Sequence, residues 1–187
     1  LKLCISAFVL LFAFTGCKNN KKDKEEKSFI DVTAYMNGQL RYFDTVPFAF
    51  LKLTKKDTVF TDSHYIKKEE VQEILKRFLV KGIEKGNFEK NFEETTFADA
   101  TLHTVTITYN SINKKSDVER IDVYVNPEKE EIHQVYMTRK KEDGDSVVSQ
   151  QILWRHNRYF TLITSVSAKN KEEKITAEKI IWDERED

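Results

Sequence analysis

The sequence predicts an α+β fold, with two N-terminal helices and a hairpin packed on one face of an open, curved antiparallel sheet of about six strands. Over residues 28–44 and 67–81, apolar side chains recur every three or four positions, which is typical of amphipathic helices. From Leu102 onward they recur every second position, and short polar segments separate the alternating runs, as in a meander. None of the five glycines falls inside a proposed strand, where a closed sheet would need kinks, so we expect an open sheet.

The first helix is predicted over residues 28–44, with Ser28 as its N-cap. Asp31 lies in the first turn, where a negative charge suits the helix dipole, and Pro47 closes the segment. One face of this helix is apolar and is expected to be buried. That face comprises Phe29, Val32, Met36, Leu40 and Phe43.

A hairpin is predicted next, because two runs rich in β-formers, residues 48–53 and 58–60, flank the polar residues 55–57. A second helix follows over residues 67–81, and Gly82 ends it. Phe88 and Phe92 are assigned to a short helical turn beyond Gly82.

The second helix has an apolar face formed by Val71, Ile74, Leu75 and Phe78. Charged residues, Arg77 among them, occupy its other face. We expect the apolar face to pack directly on the sheet, against Val105, Ile107, Val123 and Val125.

Six strands follow from the alternation of apolar and polar residues. They are marked by Val105/Ile107/Tyr109, Ile121/Val123/Val125, His133/Val135/Met137, Ile152/Trp154, Phe160/Leu162/Thr164/Val166 and Ile175/Ala177/Lys179/Ile181. The predicted breaks are residues 110–117, 126–130, 140–145, 156–158 and 169–173.

The first 17 residues have the pattern of a bacterial export signal. Lys2 precedes an apolar run from Leu3 to Phe14 that is too short to span a bilayer, and small residues follow it. The segment resembles the lipobox of bacterial lipoproteins at Phe14-Thr15-Gly16-Cys17, with Phe14 where that motif usually has Leu. The resemblance implies cleavage before Cys17 and acylation of Cys17 by a diacylglycerol and an amide-linked fatty acid such as palmitate. An ordinary signal peptide cut elsewhere and a signal anchor are the alternatives.

We therefore expect a signal peptide over residues 1–16, a lipidated Cys17 with a disordered tether over residues 17–27, and a single α+β domain over residues 28–187. Two or more acyl chains anchor a protein stably to a membrane. The expected location is the cell envelope, in the outer membrane of a Gram-negative bacterium, on either its periplasmic or its surface face.

Composition argues against several classes of function. Lys+Arg and Asp+Glu number 31 each, so the chain lacks the basic excess that nucleic-acid binding requires. Cys4 leaves with the signal peptide and Cys17 is acylated, so thiol catalysis, zinc-thiolate sites and iron–sulfur clusters are not expected.

Neither a metal nor a catalytic site is predicted. The histidines, His64, His103, His133 and His156, lack any metal-ligand spacing, although His103 and His133 would form a site if they met an acid across the sheet. Asp62-Ser63-His64 has the residue types of a hydrolase triad, but sequence neighbours point in different directions.

Three further groups of residues are interpreted as structural or as contacts for a partner. Glu93, Glu94 and Asp99 are assigned to a solvated loop, because they lack the spacing of a calcium loop. Trp154 and Trp182 are expected in the core rather than as exposed stacking platforms for sugars. Arg155 and Arg158 form the most basic turn and are the candidate contact for a partner, at the same end of the meander as residues 126–130.

The region after Cys17 is similar to a group of uncharacterised bacterial lipoproteins. The similarity is carried by Asp44-Thr45-Val46-Pro47, Phe97-Ala98-Asp99, Thr104-Val105-Thr106-Ile107-Thr108-Tyr109 and Leu153-Trp154. The resemblance implies no activity, cofactor or catalytic residue.

The function expected from these observations is that of a membrane-anchored, non-enzymatic lipoprotein that binds or helps to assemble a protein partner. A carrier of an apolar ligand or lipid, held between helix and curved sheet, is the alternative. An enzyme whose residues form no sequence motif is a third hypothesis.

Overall fold

The computed structural model describes residues 29–45, 47, 49–56, 59–76 and 85–183, and these form one antiparallel sheet of nine strands with three helices. The helices are α1 (Val32–Tyr42), α2 (Lys68–Lys76) and α3 (Lys85–Asn91). The strands are β1 (Phe50–Lys56), β2 (Val59–Ile66), β3 (Phe92–Asp99), β4 (Thr104–Ser111), β5 (Val118–Asn126), β6 (Glu131–Asp143), β7 (Ser146–Arg155), β8 (Tyr159–Ala168) and β9 (Lys174–Ile181). The α+β class and the open antiparallel sheet are as predicted.

The strand order is β2-β1-β9-β8-β7-β6-β5-β4-β3, so the sheet has nine strands and not six. The predicted six strands correspond to β4–β9 and run as a continuous meander. The prediction for the hairpin was wrong in one respect. Strand β1 pairs along its length with β9, so β1 and β2 extend the sheet and do not lie on its face.

Strand β3 accounts for the remaining difference, since Glu93, Glu94 and Asp99 belong to a strand and not to a loop. All eight residues of β3 pair in uninterrupted register with β4. The strand carries no apolar alternation because it lies at the edge of the sheet, where most of its side chains are exposed. Phe92, placed with Phe88 in a helical turn, is its first residue, whereas Phe88 does lie in α3.

Helix α1 confirms the predicted apolar face but begins later than expected. Its N-cap is Asp31, whose Oδ1 accepts a 2.8 Å hydrogen bond from the Ala34 N–H. Ser28, the predicted cap, lies outside the described residues. Val32, Met36 and Phe43 are buried, and Phe29 and Leu40 pack against the core at partial burial.

Helix α2 also has the predicted phase, because Val71, Ile74 and Leu75 are buried and the intervening acidic residues are exposed. Phe78, Arg77 and Gly82 lie outside the described residues. The described polar contacts of α2 reach Lys52 of β1 and Asp44 beyond α1, near the β1–β9 side of the sheet. Its packing on Val105 and Val123, near the opposite edge, remains a prediction.

The core is dominated by two groups of aromatic rings. Phe43 sits against Phe50, Trp154 and Trp182, with ring centroids 4.7–6.1 Å apart, and Trp154 stacks on Phe160. The second group joins the start of α1 to the β3–β4 side and comprises Phe29, Phe88, Phe92 and Tyr109. Trp154 and Trp182 are buried, as expected for core residues.

The β6–β7 hairpin is longer than predicted, because residues 140–143 belong to β6 and the turn is reduced to Gly144 and Asp145. Gly144 has φ +59°, the left-handed conformation that a two-residue hairpin turn requires. The polar residues 140–143 look like a loop in the sequence because they are exposed at the end of the sheet.

Candidate functional site

The two faces of the sheet differ in what covers them. The residues flanking α1 contact one face of the sheet: the Phe43 ring packs on Trp154 and Trp182, and the Ile30 N–H donates a 3.0 Å hydrogen bond to the Tyr109 hydroxyl. Phe88 of α3 packs on Tyr109, and Glu70 of α2 lies 3.8 Å from Lys52. Within the described part of the chain, all three helices therefore lie on one face.

The opposite face, which we call the open face, is defined by the strand register. Tyr124, Gln134, Arg155 and Tyr159 follow one another across β5, β6, β7 and β8 as direct cross-strand partners. They alternate with the buried Val123, Val135, Trp154 and Phe160, so they point away from the helices. This row continues in both directions to Phe97 of β3 and Tyr65 of β2.

The open face is rich in partly exposed aromatic side chains. Tyr65 and Phe97 at its two edges are 72% and 65% exposed. Tyr124, Tyr136 and Tyr159 are half-buried between them. The ammonium group of Lys179 lies 4.1 Å above the ring centre of Tyr159, so the polar residues there are packed on the aromatic ones.

A buried carboxylate organises the part of the open face on β5. Asp122 is only 2% exposed and accepts hydrogen bonds from the Thr108 hydroxyl at 2.6 Å and from Arg120 Nε at 2.9–3.0 Å. The charge of Asp122 is thus paired with the half-exposed Arg120. Burial, with the nearby Asp122 charge, raises the pKa of Tyr124. Tyr124 is therefore a neutral hydroxyl at physiological pH.

Arg155 connects the open face to a cleft of about 420 Å³ at one end of the sheet. Its guanidinium donates to Nδ1 of His133 at 3.2 Å and to Oε1 of Gln134 at 3.4 Å. The cleft is lined by Leu102, His103, Thr104, Asn126, Lys129, Glu131, His133, Arg155, His156 and Arg158. The structure therefore brings Arg155 and Arg158 together with residues 126–131, at the predicted end of the meander.

Three of the four histidines also line this cleft, namely His103 and His133, whose approach the sequence raised only as a possibility, and His156, which it did not place with them. Nδ1 of His103 lies 3.7 Å from Oε1 of Glu128. His133 and His156 lie at neighbouring strand ends, where the backbone N–H of His156 donates to the backbone carbonyl of His133 at 3.0 Å. In the described ranges, no group of three or more His, Cys, Asp or Glu side chains is placed to hold a metal ion. The missing signal was the pairing of β6 with β7, which no local motif encodes.

His156 has a second role, because it holds α1 against the β7–β8 turn. Its Nδ1 lies 2.9 Å from the Tyr35 hydroxyl and 3.1 Å from Nε2 of Gln39, and both groups are on α1. The Tyr35 ring stacks on the imidazole, and Oε1 of Gln39 accepts from the Asn157 N–H at 3.4 Å. Burial lowers the pKa of His156, while Glu131 opposes that shift.

The triad-like residues on β2 do not form a pocket. Asp62, Ser63 and His64 are all exposed on the edge strand, where His64 pairs with Asp62 at 2.7 Å. The Asp62 carboxylate also accepts from the Ser63 backbone N–H at 2.8 Å. These contacts are those of a surface strand.

Two further clefts are lined mainly by polar or charged side chains. The first, of about 390 Å³, lies between α1 and α2 and is lined by Asn37, Leu40, Arg41, Asp44, Gln72 and Lys76. The second, of about 470 Å³, lies at the opposite end of the sheet from Arg155 and is lined by Lys114, Lys115, Ser116, Asp117, Glu119, Lys140, Lys141 and Glu142.

No family model, curated protein or solved structure matches this chain. Among the helices that the structure describes, none has the length and apolar character to cross a membrane.

Proposed function

We propose that the protein is a membrane-anchored envelope lipoprotein without catalytic activity, and that it binds a protein partner through the open face of its sheet. The observation that carries this proposal is the row of aromatic residues around Arg155 on the face that the described helices leave uncovered. Tyr and Arg are the residue types that most often dominate binding energy at protein interfaces.

The size of the open face suits a stable interface. Nine strands about 4.8 Å apart give a width of roughly 40 Å, and eight residues per strand give a length of roughly 26 Å. The resulting area, on the order of 1,000 Å², exceeds the roughly 800 Å² that each partner buries in a standard interface. The open face is thus wide enough for a folded protein and not only for a peptide.

The chemistry of the open face favours a protein over a nucleic acid. The charge of Arg120 is paired with that of Asp122, and the ammonium group of Lys179 lies over the Tyr159 ring. A surface of tyrosines with few charged residues resembles the core of a protein interface, where charged residues are depleted.

The anchor is the second part of the proposal and rests on the resemblance of Phe14-Thr15-Gly16-Cys17 to a lipobox. We propose that Cys17 carries the acyl chains and that the domain is held at the outer membrane of a Gram-negative bacterium. Tethering raises the effective concentration of the domain toward other proteins of the same membrane surface.

Site-specific photo-crosslinking in the native cells tests the open face. A photoreactive phenylalanine analogue replaces Phe97 or Tyr124, and the matched control replaces Glu73, whose side chain is 66% exposed on α2, on the side of the sheet that the helices cover. We expect a discrete adduct of defined mass from both open-face positions and none from Glu73. Equal adducts from all three positions, or none from the open face, would overturn the proposal.

A further inference from the structure

The hydrogen bonds of His156 define a contact that only a neutral imidazole can make in full. An amide N–H of Gln39 donates to Nδ1, so Nδ1 accepts, and the ring proton sits on Nε2. The Tyr35 hydroxyl, 2.9 Å away, is then a second donor to the same nitrogen. The orientation of the Gln39 amide is fixed at both ends, because Nε2 donates to His156 and Oε1 accepts from the backbone N–H of Asn157.

Protonation of His156 places an N–H on Nδ1 and removes this arrangement. The new N–H would face the N–H of Gln39, and turning the amide over would instead set its NH2 group against the Asn157 N–H. Either orientation loses a hydrogen bond in a part-buried position, where an unpaired donor is costly. The Tyr35 hydroxyl still accepts from the imidazolium, so only the Gln39 half of the contact is lost.

The position of this contact links α1 to the partner surface. His156 lies in the turn between Arg155, the end of β7, and Tyr159, the start of β8. Other contacts hold the two ends of α1. The Ile30–Tyr109 hydrogen bond holds its start, and Phe43, packed in the aromatic core, holds its end. Loss of the His156 contact would therefore loosen the middle of α1 and the turn without unfolding the domain.

We propose that His156 is a pH-sensitive latch, which fastens α1 to the β7–β8 turn when it is neutral and releases both when it is protonated. The inference rests on the proposed function in one respect: the segment it would loosen carries Arg155 and Tyr159 of the open face. Acidification would thereby weaken partner binding.

Charged and titratable groups from several elements surround the imidazole of His156. Tyr35 faces it from α1, and Glu131 and His133 face it from β6. Arg155, Arg158, Lys129 and His103 line the same cleft. Burial lowers the pKa of His156 below the usual 6.5, and Glu131 counters part of this shift. Between the folded-state pKa of His156 and pH 6.5, the unfolded chain therefore binds more protons than the folded one. The stability that the latch contributes is complete above pH 6.5 and is lost as the pH falls through the folded-state pKa.

Amide hydrogen exchange of the purified full-length protein, followed between pH 7.5 and 5, tests the latch. After correction for intrinsic exchange, protection of the α1 amides is expected to fall by up to about tenfold per pH unit between pH 6.5 and the folded-state pKa of His156, and to level off below that pKa. Protection of β5 and β6 amides in the core should change much less. The imidazole nitrogen shifts should report the Nε2–H tautomer at pH 7.5.

Two variants make the result specific. His156→Gln, which cannot be protonated, should abolish the pH dependence of α1 protection, and His64→Gln, an exposed histidine on β2, should leave it intact. Protection of α1 that does not change with pH, or the same pH dependence in His156→Gln, would refute the latch. Because this measurement uses no partner, it is independent of the crosslinking from Phe97 and Tyr124, and failure of one leaves the other standing.

Discussion

Replacing Phe43 tests whether the aromatic cluster beneath α1 is the energetic centre of the fold. Phe43 is 1% exposed and its ring lies 4.7 Å from Trp182, 5.2 Å from Phe50 and 6.1 Å from Trp154. Truncation to alanine removes a buried ring and leaves a cavity between helix and sheet. The expected cost is about 3–5 kcal/mol of unfolding free energy, the usual range for a buried Phe→Ala change.

Phe97→Ala is the matched control, because it makes the same chemical change at a position that is 65% exposed. With only about a third of its surface removed from water, Phe97 is expected to contribute no more than about 1 kcal/mol of folding stability. Urea titration followed by tryptophan fluorescence measures both variants, and the Phe43 variant should reach its midpoint at a clearly lower concentration. Similar losses in the two variants would refute the assignment of core and open face.

Three further predictions concern the anchor, the independence from metal and the partner surface. Cys17→Ser should release the protein from membranes in a fractionation experiment, and an unmodified Cys17 in the mass spectrum of the wild-type protein would disprove the anchor. The thermal unfolding midpoint of the full chain should be unchanged by a reductant and a chelator together, because neither a disulfide nor a metal site is expected. A loss of cooperative melting on adding the chelator would contradict this prediction and indicate that the histidines bind a metal. Arg155→Ala should reduce the crosslinking yield from Phe97 and Tyr124 several-fold, while Arg158→Ala, in the adjacent turn, should have a smaller effect. Equal yields in the wild type and in Arg155→Ala would show that Arg155 is not part of the interface.

The helices illustrate what local sequence pattern can predict. Burial of Val32, Met36 and Phe43 on one helix, and of Val71 and Leu75 on the other, follows directly from the 3.6-residue period. The start of α1 was predicted too early because Ser28 and Asp31 are both residue types that cap helices, and in the structure the Asp31 carboxylate accepts from the Ala34 N–H.

The strands show where such patterns stop being informative. Strands with one buried face, such as those containing Val123 and Phe160, alternate clearly and were predicted. Strand β3 was missed because an edge strand buries too little to impose alternation. The pairing of β1 with β9 depends on residues far apart in the chain, and no local signal encodes it.

The candidate site was only partly predictable for the same reason. Arg155 and Arg158 stand out as a basic turn, and a simple meander places them near residues 126–130. Their neighbours His133 and His156, and the cross-strand row from Tyr124 to Tyr159, follow from register, which a one-residue shift would reverse.

The pairing of β1 with β9 also sets the order in which the strands can assemble during folding. Lys52 of β1 has Ile180 of β9, far along the chain, as its cross-strand partner. During synthesis the β1–β2 hairpin cannot join the rest of the described sheet until β9 has been made. Such long-range pairing slows folding, and it makes attachment of this hairpin depend on β9. A chain truncated before Lys174 would expose the flanks of both β1 and β8 and become a target for proteolysis or aggregation.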